Sequence, residues 1–142
     1  MTDPYCGSCL CGTVQFEIDE FLPQAAHCHC SMCRKFHGAA FATIACVHSS
    51  NFRWVEGADS LKRYKAKNGT TRTFCRRCGS SLAFSGPRAP AEEVEIALGA
   101  MDGDVPIALS AHIFVGSAAN WTVIGDDLPQ YEEMRGSAKV NK

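Results

Sequence analysis

Leu61-Lys62-Arg63-Tyr64-Lys65-Ala66-Lys67-Asn68-Gly69-Thr70-Thr71-Arg72-Thr73-Phe74-Cys75-Arg76-Arg77-Cys78-Gly79 is the stretch on which the fold turns. Two strand-like runs, about 61–66 and 71–75, flank Lys67-Asn68-Gly69-Thr70. Asn-Gly between strands is the strongest short hairpin signal, and the turn it favours puts both central residues at positive φ. The second run ends in Phe74-Cys75-Arg76-Arg77-Cys78-Gly79, the C-x-x-C-G pattern of a zinc knuckle. Two thiolates at this spacing grip one ion, and the glycine lets the chain turn back at positive φ. The stretch predicts antiparallel β-structure closed around a metal loop.

One knuckle supplies half of a tetrahedral site. Gly7-Ser8-Cys9-Leu10-Cys11-Gly12 is the natural other half. Side chains two apart in an extended segment share a face, so Cys9 and Cys11 can bite one ion. Cys6 and Cys9 form a competing C-x-x-C pair, and spacing alone does not choose between them. A second cluster, Cys28-His29-Cys30-Ser31-Met32-Cys33, offers three thiolates that cap three corners of a tetrahedron. Structural zinc sites are closed by four protein ligands, whereas catalytic ones keep a position for water or substrate. Three readings of this cluster stand: an open site, a site closed by Cys46, His37 or another residue, or a set of metal-free thiols. His29, between two candidate ligands, reads as a packing or supporting residue. His27 and His48 read as surface residues, and Cys46 as a buried, inert thiol. His112 reads either as a hydrogen-bonded core residue or as a group lining the site.

Elsewhere the pattern is that of short strands. Val14, Phe16 and Ile18 alternate with Thr13, Gln15 and Glu17, the mark of a half-buried strand. Residues 41–47, the Phe52/Trp54 pair, 81–85 and 94–98 also read as strands, as do 113–115 and 121–124. The best helical stretch is short, about Ser31 to Phe36. The chain is expected to be mainly β, an antiparallel sheet or sandwich.

The 142 residues suit a single domain, expected over 1–135, with a frayed tail at 136–142. A net charge of -1 argues against bulk electrostatic binding to nucleic acid, which needs a basic surface, and leaves room only for a local basic patch. No apolar run reaches the ~18 residues of a membrane span. The N-terminal segment has neither the basic nor the apolar region of a signal peptide. Nine cysteines, an odd number, in such a chain point to metal ligation and a reducing, cytoplasmic setting rather than to disulfides.

The clusters together resemble the glutathione-dependent formaldehyde-activating enzyme family, the group that includes centromere protein V. The resemblance covers about residues 6–133. It rests on Gly7–Gly12, Cys28-His29-Cys30-Ser31-Met32-Cys33-Arg34-Lys35, Phe74–Ser80, His112-Ile113 and Leu128-Pro129-Gln130-Tyr131-Glu132. It implies a Mss4-like fold of stacked antiparallel β-sheets with zinc-binding loops, and two zinc ions per chain. By this likeness Cys9, Cys11, Cys75 and Cys78 hold a structural zinc, and Cys28, Cys30 and Cys33 hold the second, open one. Cys6 and Cys46 inherit no role. The implied activity is that of a carbon–sulfur lyase joining glutathione and formaldehyde into S-(hydroxymethyl)glutathione. Arg34 and Lys35 are the candidate contacts for glutathione carboxylates. The alternative is a non-catalytic zinc module for protein or small-molecule partners. Association with nucleic acid or chromatin, suggested by the centromere relative, is weakened by the near-neutral charge.

Overall fold

A computed structural model describes residues 2–87 and 90–140. In chain order the elements are β1 (Tyr5–Ser8), β2 (Gln15–Ile18), β3 (Ala25–Cys28), α1 (Ser31–His37), β4 (Ala42–His48), β5 (Phe52–Glu56), β6 (Leu61–Lys65), β7 (Thr71–Cys75), β8 (Ser81–Ser85), β9 (Glu93–Ala97) and β10 (Ala111–Ile113). The fold is mainly β, as expected. The chain divides into two compact units, Met1–Pro23 with Ala45–Ile107 and Gln24–Ile44 with Ala108–Lys142.

The first unit stacks two antiparallel layers. One has the order β1-β2-β5, and the other runs β9-β8-β7-β6. The alternation read in β2 is the reason they meet: Phe16 and Ile18 are buried, while Gln15 is exposed and Glu17 pairs with Arg53 at 2.9 Å. The core between the layers contains Val14, Phe16, Ile18, Val47, Leu82 and Ile96. Phe16 packs its ring 5.6 Å from those of Phe52 and Trp54. It also lies so close over Gly7 that a Cβ there would collide with the ring. The expected strand began at residue 13, but the ladder starts at Gln15. Thr13 and Val14 belong to the loop between β1 and β2 instead.

The hairpin is present, with Leu61 opposite Cys75 and Lys65 opposite Thr71. Its turn differs from the expected one. Gly69 has φ +91°, but Asn68 does not take positive φ. The Gly69 N–H donates to the Ala66 carbonyl at 3.0 Å, and the Ala66 N–H to the Thr70 carbonyl at 2.8 Å. This is a type I turn followed by a left-handed glycine, the usual form of a three-residue hairpin loop. Asn68 contributes through its side chain, whose Oδ1 accepts the Thr70 N–H at 3.0 Å. Gly69→Val should therefore lower stability by about 1 kcal/mol or more, because a β-branched residue resists positive φ. The check is the urea midpoint, which must fall while the slope stays constant.

In the second unit β3 and β10 pair in parallel, with His27 beside His112 and Cys28 beside Ile113. The sheet structure is thus mixed rather than purely antiparallel. On the other side of β10 the His112 N–H donates to Pro129 at 2.8 Å, and Tyr131 donates to His112 at 2.9 Å. α1 lies where the sequence placed it. Cys30 is its N-cap, and Gly38 closes it in the left-handed conformation.

Two expected strands are corrected. The one over 113–115 sits at Ala111–Ile113, because Phe114 turns to φ +56° and ends it. The stretch 121–124 forms no strand: Trp121 and Val123 are 67% and 91% exposed, so the apolar alternation has no partner to face. β1 and β3 had no expected counterpart. At the C-terminal end, Glu132 donates to Ala138 and Val140 to Gln130, both at 2.8 Å, so backbone pairing runs on to Val140. The expected tail's last residues, Asn141 and Lys142, lie outside the described residues.

Candidate metal centres

The first centre grows from two turns in the first unit. Cys9 donates its N–H to Val14 at 3.0 Å and accepts from Gly12 at 2.9 Å, so the chain folds back around its own sulfur. In the knuckle, Gly79 at φ +79° donates to the Cys75 carbonyl at 2.8 Å. The two turns bring Cys9, Cys11, Cys75 and Cys78 together with all sulfurs within 4.8 Å. Cys9 and Cys11 are 3.6 Å apart, and Cys11 and Cys75 3.9 Å. Four thiolates at about 2.3 Å from one zinc ion would sit about 3.8 Å apart, so this set fits a tetrahedral ion. Cys6 is not part of it; its exposed sulfur lies against the Pro4 carbonyl.

Polar neighbours prepare these sulfurs for a cation. The Val14 N–H donates to Cys9 Sγ at 3.2 Å. Ser80 Oγ, 3.2 Å from Cys78 Sγ, pulls that thiol down to about 5. Thr13 Oγ1, 3.2 Å from Cys11 Sγ, lowers the Cys11 thiol too. Burial pushes Cys9 up to about 11. Ser80 also accepts the Leu10 N–H at 2.8 Å, tying the two turns to each other. Neither Ser80 nor Thr13 was singled out from sequence, since a hydroxyl beside a cysteine carries no spacing signal.

The second centre sits in the second unit, where β3 runs into α1. Cys28, Cys30 and Cys33 bring their sulfurs within 4.8 Å of one another. Cys28 and Cys33 are buried, and Cys30 is half-buried. The Cys33 N–H donates to Cys30 Sγ at 3.3 Å, so the helix cap itself holds one sulfur. Hydrogen bonding with Cys30, then with Cys33, followed by burial, drives the Cys28 thiol far up. Three crowded thiols resist ionising together, and a cation among them removes that cost. His37 lies at the end of α1, outside this three-residue group. Cys46 is half-buried on β4, and its carbonyl accepts the Leu22 N–H at 2.9 Å. Of the two glutathione candidates, Lys35 is exposed and Arg34 is half-buried.

The histidines correct the sequence reading. His48 is exposed as expected. His27 is not a surface residue: it is half-buried, with Nδ1 2.9 Å from Thr43 Oγ1 and its ring 4.6 Å from Phe41. His29 is completely buried, and His112 nearly so. Their Nε2 and Nδ1 atoms are 2.8 Å apart, and His112 Nε2 is 2.9 Å from an Asp126 carboxylate oxygen. An ionised carboxylate only accepts, so His112 carries its proton on Nε2 and accepts at Nδ1 from the His29 Nε2–H. Desolvation keeps His29 neutral, with its pKa lowered to about 4. Sequence reasoning missed Asp126; it stands in a loop whose only link to His112 is tertiary.

These features define a class: a mainly β protein with cysteine-rich loops that can hold metal ions. The chain belongs to the glutathione-dependent formaldehyde-activating enzyme family, whose model matches residues 4–117. It is 34% identical over 125 residues to a putative glutathione-dependent formaldehyde-activating enzyme of Halomonas elongata, covering 83% of this chain and 79% of that one. An uncharacterized lyase of Schizosaccharomyces pombe is 27% identical over 81 residues, 57% of each chain. A crystal structure of a Rhodobacter sphaeroides protein superposes with a TM-score of 0.60 at 32% identity, covering 71% of this chain and 91% of that one. No helix among the described residues is long and apolar enough to cross a membrane.

Proposed function

We propose that the protein is a zinc-dependent carbon–sulfur lyase that combines a small thiol, glutathione, with formaldehyde. The sulfur attacks the carbonyl carbon, the C–S bond forms, and the carbonyl oxygen takes a proton to give S-(hydroxymethyl)glutathione. The reverse direction releases formaldehyde. The observation that carries this reading is the asymmetry of the thiol groups, four cysteines in one and three in the other. Cys9, Cys11, Cys75 and Cys78 would enclose a structural zinc. Cys28, Cys30 and Cys33 would hold a second. When bound there, zinc supplies a position at which a thiol is kept as the reactive thiolate.

The rest of the reading concerns the chain's own residues. Family membership supports glutathione as the thiol. Arg34 directly follows Cys33, and its Nε is buried with no hydrogen-bond partner among the described residues. A glutathione carboxylate would satisfy it. Lys35, exposed beside it, would add charge at the rim.

The test replaces zinc by cobalt, whose thiolate charge-transfer bands report each added sulfur. Glutathione should change the spectrum of one centre and leave the other alone. Cys30→Ser should abolish the response while the fold persists. In parallel, 13C-labelled formaldehyde should exchange with its glutathione adduct faster with protein than without. Thiolate bands that ignore glutathione, together with no added exchange, would sink the reading.

A further inference from the structure

We propose that His27, His112 and Asp126 form a further metal site, separate from the cysteine groups, for a divalent first-row transition ion. The parallel register of β3 and β10 sets His27 directly beside His112. Their ring centroids are 4.7 Å apart. One donor atom from each histidine and one carboxylate oxygen of Asp126 all lie within 4.8 Å of one another. Two imidazoles and a carboxylate make a nitrogen–oxygen donor set with no sulfur. That set suits iron(II), cobalt, nickel or zinc, and differs in kind from the thiolate groups.

The surroundings are those of a supported ligand set. A metal-binding histidine is typically held at its other nitrogen by a neighbour, which fixes ring orientation and tautomer. Thr43 Oγ1 lies 2.9 Å from His27 Nδ1, leaving Nε2 as that ring's remaining donor. His29 Nε2 lies 2.8 Å from His112 Nδ1, leaving Nε2 there as well. The carboxylate is held in turn by the Leu128 N–H, 3.0 Å from Asp126 Oδ1. Phe41 forms an apolar wall, its ring 4.6 Å from that of His27 and 5.9 Å from that of His112. Asp126 is 45% exposed, so an ion has a route in and room for water on its open side.

A carboxylate–imidazole hydrogen bond alone would need only Asp126 and His112. It leaves the second imidazole, with its own hydroxyl support, unexplained. An ion at His112 Nε2 replaces the proton now facing Asp126. The proton of each ring in the His112–His29 pair then sits on Nδ1, so both rings stay neutral and the bond between them survives.

The test titrates cobalt(II) chloride into the full-length protein with its thiolate-bound metal in place. One further equivalent should bind, giving ligand-field absorption with no added sulfur-to-cobalt charge transfer. Asp126→Asn keeps the hydrogen bond to His112, sits at the surface and should leave the fold intact. It should weaken this uptake at least about tenfold, as should His27→Gln, and Thr43→Val should cost about tenfold through loss of support. Absence of cobalt beyond the thiolate centres would overturn the site. So would extra cobalt whose affinity both Asp126→Asn and His27→Gln leave unchanged. The charge-transfer bands report the cysteine groups separately, so a failure here and a failure of the lyase reading are told apart.

Discussion

Cys75→Ser leaves the protein without a stable first unit. Cys75 is fully buried in the core and is the last residue of β7, so one side chain serves both the sheet and the metal group. Cys11 and Cys75 are 64 positions apart in the chain, and an ion shared between them would tie the two turns together. Metal ligation of this kind is coupled to folding and contributes about 10 kcal/mol or more in small zinc modules. That is comparable to the whole ~5–15 kcal/mol that separates most folded domains from their unfolded chains. The expected result is insoluble protein, or soluble protein that has lost one metal equivalent and melts on mild chelation. Metal analysis and thermal melts with and without chelator are the measurements. A soluble Cys75→Ser variant with the parent melting temperature and full metal content would refute the structural assignment.

Phe16→Ala should also be severe, by another route. Phe16 is 1% exposed and packs against Phe52, Trp54 and the bare backbone of Gly7. Truncating a buried phenylalanine removes its transfer free energy and leaves a cavity, together about 3–5 kcal/mol. The layers cannot close the gap, because β2 is fixed on both sides by β1 and β5. For a chain of this size that loss lowers the melting point by roughly 10 °C or more. Metal content should stay unchanged, which separates this variant from Cys75→Ser. A melting point within a few degrees of the parent would mean that the two layers depend little on this contact.

The elements legible in advance were those with dense local signals. The β6–β7 hairpin, the knuckle and α1 each carry their cause within a few residues: a turn dipeptide, a C-x-x-C-G spacing, a short helical run directly after a cysteine cluster. β2 was legible because its alternation has a core to face. The same alternation at 121–124 misled, since Trp121 and Val123 have no layer opposite them. β1 and β3 were missed because their residues, Tyr-Cys-Gly-Ser and Ala-Ala-His-Cys, carry weak strand propensity. They extend because a neighbour supplies hydrogen bonds, an effect of pairing rather than of local sequence.

The sequence by itself determined the mainly β class, through short alternating runs and turn signals, and the family, through the order of its cysteine motifs, because both are local patterns present before any fold is known. It left open whether Cys6 or Cys11 joins Cys9, since both spacings are chemically sound. Tertiary structure placed Cys9 and Cys11 beside the knuckle, through backbone bonds that turn the chain around Cys9. It alone joined His29, His112 and Asp126, and set His27 against His112, across strand register and a loop. A hydrogen bond between residues far apart in the chain leaves no periodicity to read; its donor and acceptor become neighbours only once the sheet has chosen its register.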